Sequence, residues 1–281
     1  MGDKGPASVA RRAYRAARAL PRRAEQRRLR TRLRADAAAP ELLLSPHFDD
    51  AVLDRWALIS GERDVQVVNV FAGVPAPGVA AAWDLMTGAS DSAARVHERI
   101  EEDALALARA GRTPRNLANL DAQYRSRLGR VRLDTLDSQL AATVTGVSRV
   151  HATAGIGGHR DHALVRDYAC LLARSGIPVT LYADLPYCIL HGWPHWVDGR
   201  ERDARRDVDR YWLSFLAAVP GMPALRSGRV ERLDDAAAAA KLAAMRCYAT
   251  QFACLDYGGR GLLADPEIHR FEVSWEISGG A

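Results

Sequence analysis

The segment ELLLSPHFDD (residues 41–50) places a histidine and two aspartates directly after an apolar run. A short apolar run that ends in Ser and Pro is typical of a buried strand. The polar residues that follow, His47, Asp49 and Asp50, then lie where the strand ends and a helix begins. Open α/β sheets bind their ligands at this kind of junction. The segment therefore indicates both a fold class and a candidate site.

A second segment, RVHATAGIGGHRDHA (residues 149–163), repeats this arrangement. Its start, RVHAT (149–153), predicts a strand, its glycines predict a turn, and His159, Asp161 and His162 follow. Together the two polar clusters, at 47–50 and 159–162, supply three histidines and three aspartates. That set is large enough for a three-ligand metal site with a general base beside it.

Strand patterns alternate with helical patterns along the chain. Strands are predicted at 42–45, 65–71, 117–120, 148–153, 179–183 and 271–277, and helices at 8–35, 49–59, 92–110, 133–144, 162–173, 203–217 and 235–253. Such alternation predicts an α/β fold with a Rossmann-like, mostly parallel sheet flanked by helices. Residues 72–90, rich in Gly and Pro, are predicted to be a long loop.

The positive charge of the chain is concentrated at its N-terminus. Residues 1–38 contain twelve Lys and Arg against three acidic residues, a net charge of +9, which leaves −4 for the rest of the +5 chain. We therefore predict a basic helical arm at 1–38, followed by a single α/β domain at 39–281. Such an arm can contact anionic lipid or nucleic acid. We favour a solvated Arg/Ala helix, because Tyr14 is its one aromatic residue and offers little for base stacking.

The composition excludes several other classes of protein. None of the apolar runs in the 281 residues is long enough to cross a bilayer, so no transmembrane segment is predicted. The four cysteines form no C-x-x-C pair, which indicates a reducing cytoplasm rather than a disulfide framework. We therefore predict a cytoplasmic protein.

The spacing within the two segments suits a metal ion. If a helix begins near residue 48, His47 and Asp50 are three residues apart and can converge on one point. Asp49 would then be free to take a proton from water, and His162 would complete a His-Asp-His set. His159 could face the same cavity, and Asp161 could orient one of the histidines. The alternative is a helix N-terminus whose aspartates only complement the dipole, which leaves the adjacent histidine unexplained.

These residues resemble the PIG-L/LmbE-like zinc-dependent N-deacetylases. That family carries a (P/A)-H-x-D-D motif after its first strand and an H-x-D-H motif after a later one, and this chain has PHFDD (46–50) and HRDH (159–162). The resemblance covers residues 41–277. It implies Zn²⁺ or another divalent metal held by His47, Asp50 and His162. Asp49 would be the general base. His159 would stabilise the oxyanion or help the amine leave, supported by Asp161.

The resemblance also implies residues that bind the substrate. The family places an arginine in an R-x-x-E-x-x-x-A pattern, and RIEEDALA (99–106) matches it, so that Arg99 would grip the substrate. The alternative is a surface arginine paired with Asp103 at helical spacing. Asp121 would accept a hydrogen bond from a substrate hydroxyl. YATQ (248–251) matches a Y-x-x-Q pattern seen in relatives and either shapes the pocket or belongs to the core.

Two positions depart from the family pattern. Gly157 stands where some members have a tyrosine that assists the tetrahedral intermediate, and Asp54 stands where many have a serine. Neither change removes a metal ligand, so an active enzyme is expected.

The expected activity is removal of an acetyl group from an N-acetylglucosamine-type sugar or a glycosylated small molecule, in natural-product biosynthesis. Two alternatives stay open: an amidase acting on a thiol conjugate or another specialised metabolite, and a non-catalytic sugar-binding module.

Overall fold

The protein is described by a computed structural model that covers residues 39–125, 131–201, 205–252, 254–255 and 265–278. The predicted basic arm at 1–38 lies outside the described residues. No described helix is both long enough and apolar enough to span a membrane.

Seven described strands form one sheet. They are β1 (Glu41–Ser45), β2 (Val65–Asn69), β3 (Pro114–Asn116), β4 (Arg149–Thr153), β5 (Val179–Tyr182), β6 (Arg229–Arg232) and β7 (Phe271–Ile277). Their order across the sheet is β3-β2-β1-β4-β5-β7-β6. The first five are parallel, and β7 runs antiparallel to both β5 and β6. The predicted mostly parallel α/β sheet is confirmed.

The described helices connect these strands. They are α1 (Asp50–Asp54), α2 (Trp56–Ile59), α3 (Ala82–Met86), α4 (Ser92–Ala108), α5 (Leu133–Val144), α6 (Arg160–Arg174), α7 (His195–Asp198), α8 (Val208–Leu216), α9 (Asp235–Met245) and α10 (Pro266–His269). Short 3₁₀ turns occur at Ala122–Tyr124, Tyr187–Ile189 and Leu225–Ser227.

The central strand β1 explains why the sheet forms the core. All five of its residues are buried, which is typical of a strand covered on both faces. Its neighbours β2 and β4 pair with it in parallel register, so that Leu43 lies opposite both Val67 and His151. The carboxyl ends of β1 and β4 are therefore adjacent, although their motifs are far apart in the chain.

The helix predicted at 49–59 is divided in two at Arg55. The backbone of Arg55 leaves the helical region, with φ −136° and ψ 35°. The carboxylate of Glu272 on β7 accepts hydrogen bonds from the backbone N–H groups of Trp56 (2.8 Å) and Ala57 (3.2 Å) at the start of α2. A carboxylate at this position satisfies N–H groups that an isolated helix leaves free. Lys241 bonds the same carboxylate at 2.8 Å, and both side chains are fully buried.

Several predicted boundaries were wrong. The strand predicted at 117–120 lies instead at Pro114–Asn116, and the predicted helix at 235–253 ends at Met245. Strand β6 was missed. Both edge strands, β3 and β6, carry arginines and are largely exposed, so neither shows the apolar run of a buried strand. The predicted loop at 72–90 contains the short helix α3, in which Asp84 is buried.

Candidate metal centre and active site

The first motif is held at the end of β1 by a serine. The Ser45 hydroxyl donates to the carbonyl of His47 at 2.6 Å and accepts from the backbone N–H of Ala51 at 3.0 Å. These two bonds join the turn after the strand to the first turn of α1. His47, Asp49 and Asp50 are thereby fixed at the junction of strand and helix, and all three are buried.

Three side-chain atoms from the two motifs meet at one point. Nδ1 of His47 lies 3.3 Å from Nε2 of His162 and 3.4 Å from Oδ2 of Asp50, and the latter two atoms are 3.5 Å apart. Ligand bonds to zinc of about 2.0–2.1 Å in a tetrahedron require ligand atoms to lie about 3.3–3.4 Å apart. The three atoms therefore form one face of a tetrahedron that fits a zinc-sized ion.

The electrostatics of these three groups also favour a cation. Burial alone would raise the pKa of Asp50, but His162 and His47 hold it below its usual value. Burial would lower the pKa of His47, yet Asp121, Asp161 and Asp50 raise it well above normal. The pKa of His162 is raised in the same way by Asp50 and Asp184. A positive charge is therefore stabilised at this point, whether it is carried by protons or by a metal ion.

Each of the two histidines has a carboxylate on its other ring nitrogen. Nδ1 of His162 lies 3.0 Å from Oδ1 of Asp184, whose Oδ2 accepts from the Ile156 N–H at 2.7 Å. Nε2 of His47 lies 3.4 Å from Oδ2 of Asp161. Carboxylates placed in this way orient metal-binding imidazoles and fix their tautomers.

Asp161 has a different partner from the one that the family resemblance implies. It contacts His47 rather than supporting His159 through a hydrogen bond, and it also accepts from the Ala122 N–H at 2.8 Å and pairs with Arg125. Burial raises the pKa of Asp161, but His47 and Arg125 lower it to about 2, so the group is ionised at neutral pH.

The sequence analysis did not identify Asp184 and Arg125 as residues of the site. Asp184 follows the end of β5 by two residues, a position at which a polar side chain signals a site. Asp54, the departure from the family pattern, is buried and accepts from the Leu185 N–H at 2.7 Å, so it fixes the backbone beside Asp184.

Asp49 lies beside the three ligand atoms without joining them. It is 5% exposed and lines the same cavity. Burial and the adjacent Asp50 raise its pKa, and Arg99 and His47 act in the opposite direction. A carboxylate with a raised pKa is suited to accept and return a proton.

His159 is a neutral imidazole in the same cavity. Burial, together with His47 and His162, lowers its pKa to about 3. Its ring centroid is 4.9 Å from that of His47 and 5.1 Å from that of His162, and its Nδ1 has no hydrogen-bond partner among the described residues. Nitrogens of these three histidines lie within 4.8 Å of one another, as do ligand atoms of His47, Asp121 and Asp161.

The cavity that these groups line has a volume of about 160 Å³. Arg99 and Asp121 form part of its wall, with Trp83, Gln123 and Tyr187 beside them.

Arg99 is 7% exposed, and its guanidinium carbon lies 5.6 Å from the centre of the Phe48 ring. Asp103 instead accepts from Asn69 (2.6 Å) and lies 2.8 Å from the hydroxyl of Tyr248. The alternative of a surface pair between Arg99 and Asp103 is therefore wrong.

Tyr187 fills the space beside Gly157. A Cβ atom at residue 157 would lie 2.5 Å from the Cβ of Tyr187, and Gly157 has φ +91°, which a side chain rarely adopts. The ring of Tyr187 is centred 5.7 Å from that of His159 and 5.3 Å from that of His162. A tyrosine from another segment thus reaches the place that the family pattern gives to residue 157.

The Y-x-x-Q segment ties the cavity wall together. Tyr248 and Gln251 are both 1% exposed. The Tyr248 hydroxyl lies 3.0 Å from the carbonyl of Phe48 in the first motif, and Oε1 of Gln251 accepts from Nε1 of Trp83 at 2.7 Å. The segment therefore belongs to the core and also positions a residue of the cavity.

Comparisons with known proteins identify structural relatives. No protein-family model and no curated protein sequence matches the chain. A deacetylase of the teicoplanin biosynthetic pathway, solved as a triple mutant, is 28% identical, with a TM-score of 0.63 over 85% of this chain and 97% of that one. The A40926 pseudoaglycone deacetylase is 28% identical, with a TM-score of 0.62 over 87% and 99% of the two chains.

One more distant structure shares the fold. The N,N'-diacetylchitobiose deacetylase of Pyrococcus horikoshii is 14% identical, with a TM-score of 0.52 over 86% of this chain and 84% of that one.

Proposed function

We propose that this chain, which has the PIG-L/LmbE-like N-deacetylase fold, is a zinc-dependent hydrolase that removes an acetyl group from an amino sugar on a small molecule. The observation that carries the proposal is the triangle of His47 Nδ1, Asp50 Oδ2 and His162 Nε2, with sides of 3.3–3.5 Å, beside the buried carboxyl of Asp49. A sugar-binding module has no need of this arrangement.

His47, Asp50 and His162 would hold the metal. When bound, zinc polarises the amide carbonyl and makes a nearby water more acidic. Asp184 and Asp161 act through the two histidines, because each holds an imidazole by its second nitrogen.

Asp49 serves as the proton carrier. It takes a proton from the attacking water, whose oxygen forms the new bond to the acetyl carbon. It then gives that proton to the amide nitrogen as the carbon–nitrogen bond breaks, so that the products are acetate and a free amine. Its raised pKa suits the first of these transfers, because a carboxylate that binds a proton more tightly is a stronger base.

His159 and Tyr187 face the carbonyl side of the reaction. The neutral His159 ring can donate one N–H to the oxygen on which negative charge develops, without a competing partner at Nδ1 among the described residues. Tyr187 packs against this ring and holds its orientation. Tyr187, from the 3₁₀ turn after β5, thus fills the space beside residue 157, where some family members have a tyrosine.

The cavity wall suits a sugar. Asp121 Oδ1 accepts from the Gln123 N–H at 3.0 Å, which orients the carboxylate to receive a substrate hydroxyl. Arg99 supplies donors beside it, and Trp83 offers an aromatic face of the kind on which sugar rings stack. One relative at 28% identity is a deacetylase of the teicoplanin biosynthetic pathway and the other is the A40926 pseudoaglycone deacetylase, which favours a glycosylated natural product as the substrate here.

The proposal places the enzyme in the cytoplasm, with residues 39–281 as the catalytic domain and a small N-acetylated molecule as its partner. The described cysteines, Cys170, Cys188, Cys247 and Cys254, are all free, in keeping with a reducing compartment.

The test is amine release from a panel of acetylated compounds. Zinc-loaded protein is incubated with the N-acetylglucosaminyl form of the A40926 pseudoaglycone, N,N'-diacetylchitobiose and an amide-linked thiol conjugate, and acetate and free amine are measured. We expect release from an amino sugar, and loss of at least about a thousandfold in Asp49→Asn with zinc content unchanged. The exposed Asp64→Asn serves as the control. Normal turnover by metal-loaded Asp49→Asn would overturn the assignment of the base.

A further inference from the structure

A second cavity, of about 780 Å³, lies at the end of the parallel strands opposite to the catalytic cavity. It is lined by residues at the amino ends of β4 and β5, whereas the catalytic cavity is at their carboxyl ends, and the two cavities share no described lining residue. Its roof is the break between α1 and α2 at Arg55 and the turn that follows α2. Cavities of about 300–1,000 Å³ are the size that small metabolites occupy.

The floor of this cavity is a polar face of the sheet. His151 on β4 lies opposite Thr180 on β5, and Thr180 lies opposite Glu276 on β7. One step along, Ser274 on β7 lies opposite Arg229 on β6. Polar side chains thus continue over four adjacent strands on one face, although the covered faces of a mostly parallel sheet are normally apolar. This departure indicates that the face contacts something polar.

Among the described residues that line this cavity, Arg55 is the arginine that has no carboxylate partner. It is 6% exposed, and its Nε and Nη1 atoms are buried with no hydrogen-bond partner among the described residues. The other arginines that line the cavity each have a carboxylate: Arg63 pairs with Glu41, Arg149 with Glu276 at 3.0 Å, and Arg229 with Glu231 at 3.6 Å. A buried guanidinium without hydrogen bonds or an anion is costly, so a ligand that supplies both is favoured.

His151 offers the complementary hydrogen-bond acceptor. Its Nε2 lies 2.6 Å from Oε2 of Glu41. Burial and the nearby Arg55 lower the pKa of His151 to about 4 against the effect of Glu41, so the ring is neutral at pH 7. Nε2 then carries the hydrogen that is donated to Glu41, and Nδ1 is left as a lone pair that is buried and unpartnered. The cavity thus presents donors at Arg55 and an acceptor at His151.

We propose that this cavity binds the phosphate group of a small phosphorylated metabolite, with Arg55 donating to the phosphate oxygens and Nδ1 of His151 accepting from a hydroxyl of the ligand. A guanidinium can donate two parallel N–H hydrogen bonds to a tetrahedral oxyanion. No described carboxylate that lines the cavity accepts such bonds from Arg55. The volume leaves room for the remainder of the metabolite beyond the phosphate.

Calorimetric titration of the zinc-loaded protein with inorganic phosphate tests the proposal. Inorganic phosphate at pH 7.5 is mostly HPO₄²⁻, whose one hydroxyl stands in for the ligand hydroxyl that His151 would accept. Sulfate has the same charge and shape without a hydroxyl. We expect Arg55→Gln to weaken phosphate binding by about tenfold or more, because a charge-assisted contact is lost. Arg226→Gln is the control, because Arg226 lies outside the cavity and makes only an exposed pair with Asp209. We expect it to change phosphate binding by less than about twofold. Sulfate is expected to bind more weakly than phosphate.

Three results would overturn the proposal. The first is the absence of phosphate binding to the wild-type protein. The second is equal phosphate binding by the wild type and Arg55→Gln, which would place the ion elsewhere. The third is equal binding of sulfate and phosphate, which would remove the role of His151. A measurement on the wild type needs no variant: phosphate should slow hydrogen exchange in the segments 55–63 and 149–151, and exchange that is unchanged there contradicts the proposal.

Discussion

Gly157 and Tyr187 share one volume, since a Cβ on the first would lie 2.5 Å from the Cβ of the second. The glycine therefore leaves room for an aromatic ring that packs on His159 and His162. We expect Gly157→Ala to displace Tyr187 and to lower kcat by at least about tenfold. Gly111→Ala is the matched control, because Gly111 also has a positive φ (+68°) but nothing within 4 Å of an added Cβ. Equal kcat values for the two variants would show that the close contact has no effect on catalysis.

Asp184 is expected to control metal affinity through His162. Asp184→Asn keeps the shape of the side chain but removes the charge that faces Nδ1 of His162 at 3.0 Å. Loss of such a carboxylate typically weakens metal binding by about 10–100-fold. Competition with a chromophoric chelator measures the zinc dissociation constant. Asp167→Asn, an exposed change on the same helix α6, should leave it unchanged; an unaltered constant in Asp184→Asn would contradict the role that we assign.

Loss of a ligand should change the amount of zinc bound. His162→Ala removes one corner of the triangle formed with His47 and Asp50. We expect metal analysis after dialysis to find about one zinc per wild-type chain and much less in the variant, together with loss of amine release. Chelation of the wild type should abolish turnover, and zinc should restore it. Full zinc occupancy in His162→Ala would exclude this residue as a ligand.

The pair of Glu41 and His151 should make the protein less stable in acid. The pKa of His151 is lowered from 6.5 to about 4 and that of Glu41 from 4.5 to about 2. Because both values are lowered on folding, the unfolded chain binds protons first, and stability falls as the pH decreases. The His151 contribution is lost between about pH 6.5 and 4, and the Glu41 contribution between about pH 4.5 and 2.

The variant His151→Gln isolates the first of these contributions. Its amide can still donate to Glu41, but it does not titrate. We expect the free energy of unfolding, measured by urea denaturation, to fall by about 2 kcal/mol less between pH 6.5 and 4 than it does in the wild type. Parallel pH profiles for the two proteins would rule out His151 as the source.

The fully buried Lys241 and Glu272 should be sensitive to the loss of either charge. Lys241→Met leaves the Glu272 carboxylate without its cation at 2.8 Å, although two backbone N–H groups still donate to it. We expect a loss of about 3–5 kcal/mol in the free energy of unfolding. The double variant Lys241→Met/Glu272→Gln should recover part of that loss, because the unpaired charge is removed. If the loss in the double variant equals the sum of the losses in Lys241→Met and Glu272→Gln alone, the two charges do not interact.

The centre of the sheet and the two motifs could be predicted because their signals are local. The middle of β1 is a run of three leucines (42–44), and His47 and Asp50 have the spacing of neighbours on a helix. The edge strand β6 could not be predicted, since its pattern of charged residues does not differ from that of a loop. Asp184, Arg125 and Tyr187 lie outside the motifs, and their roles depend on pairing between distant segments that no local pattern records.

The ring nitrogens of His47 and His162 that lie 3.3 Å apart belong to residues separated by 115 positions in the chain, and the pairing of β1 with β4 brings them together. Contacts between such distant residues form only after the loop between them has closed, which is a slow step in folding. Zinc capture during refolding should therefore occur after most helix formation, and its rate would report completion of the central sheet.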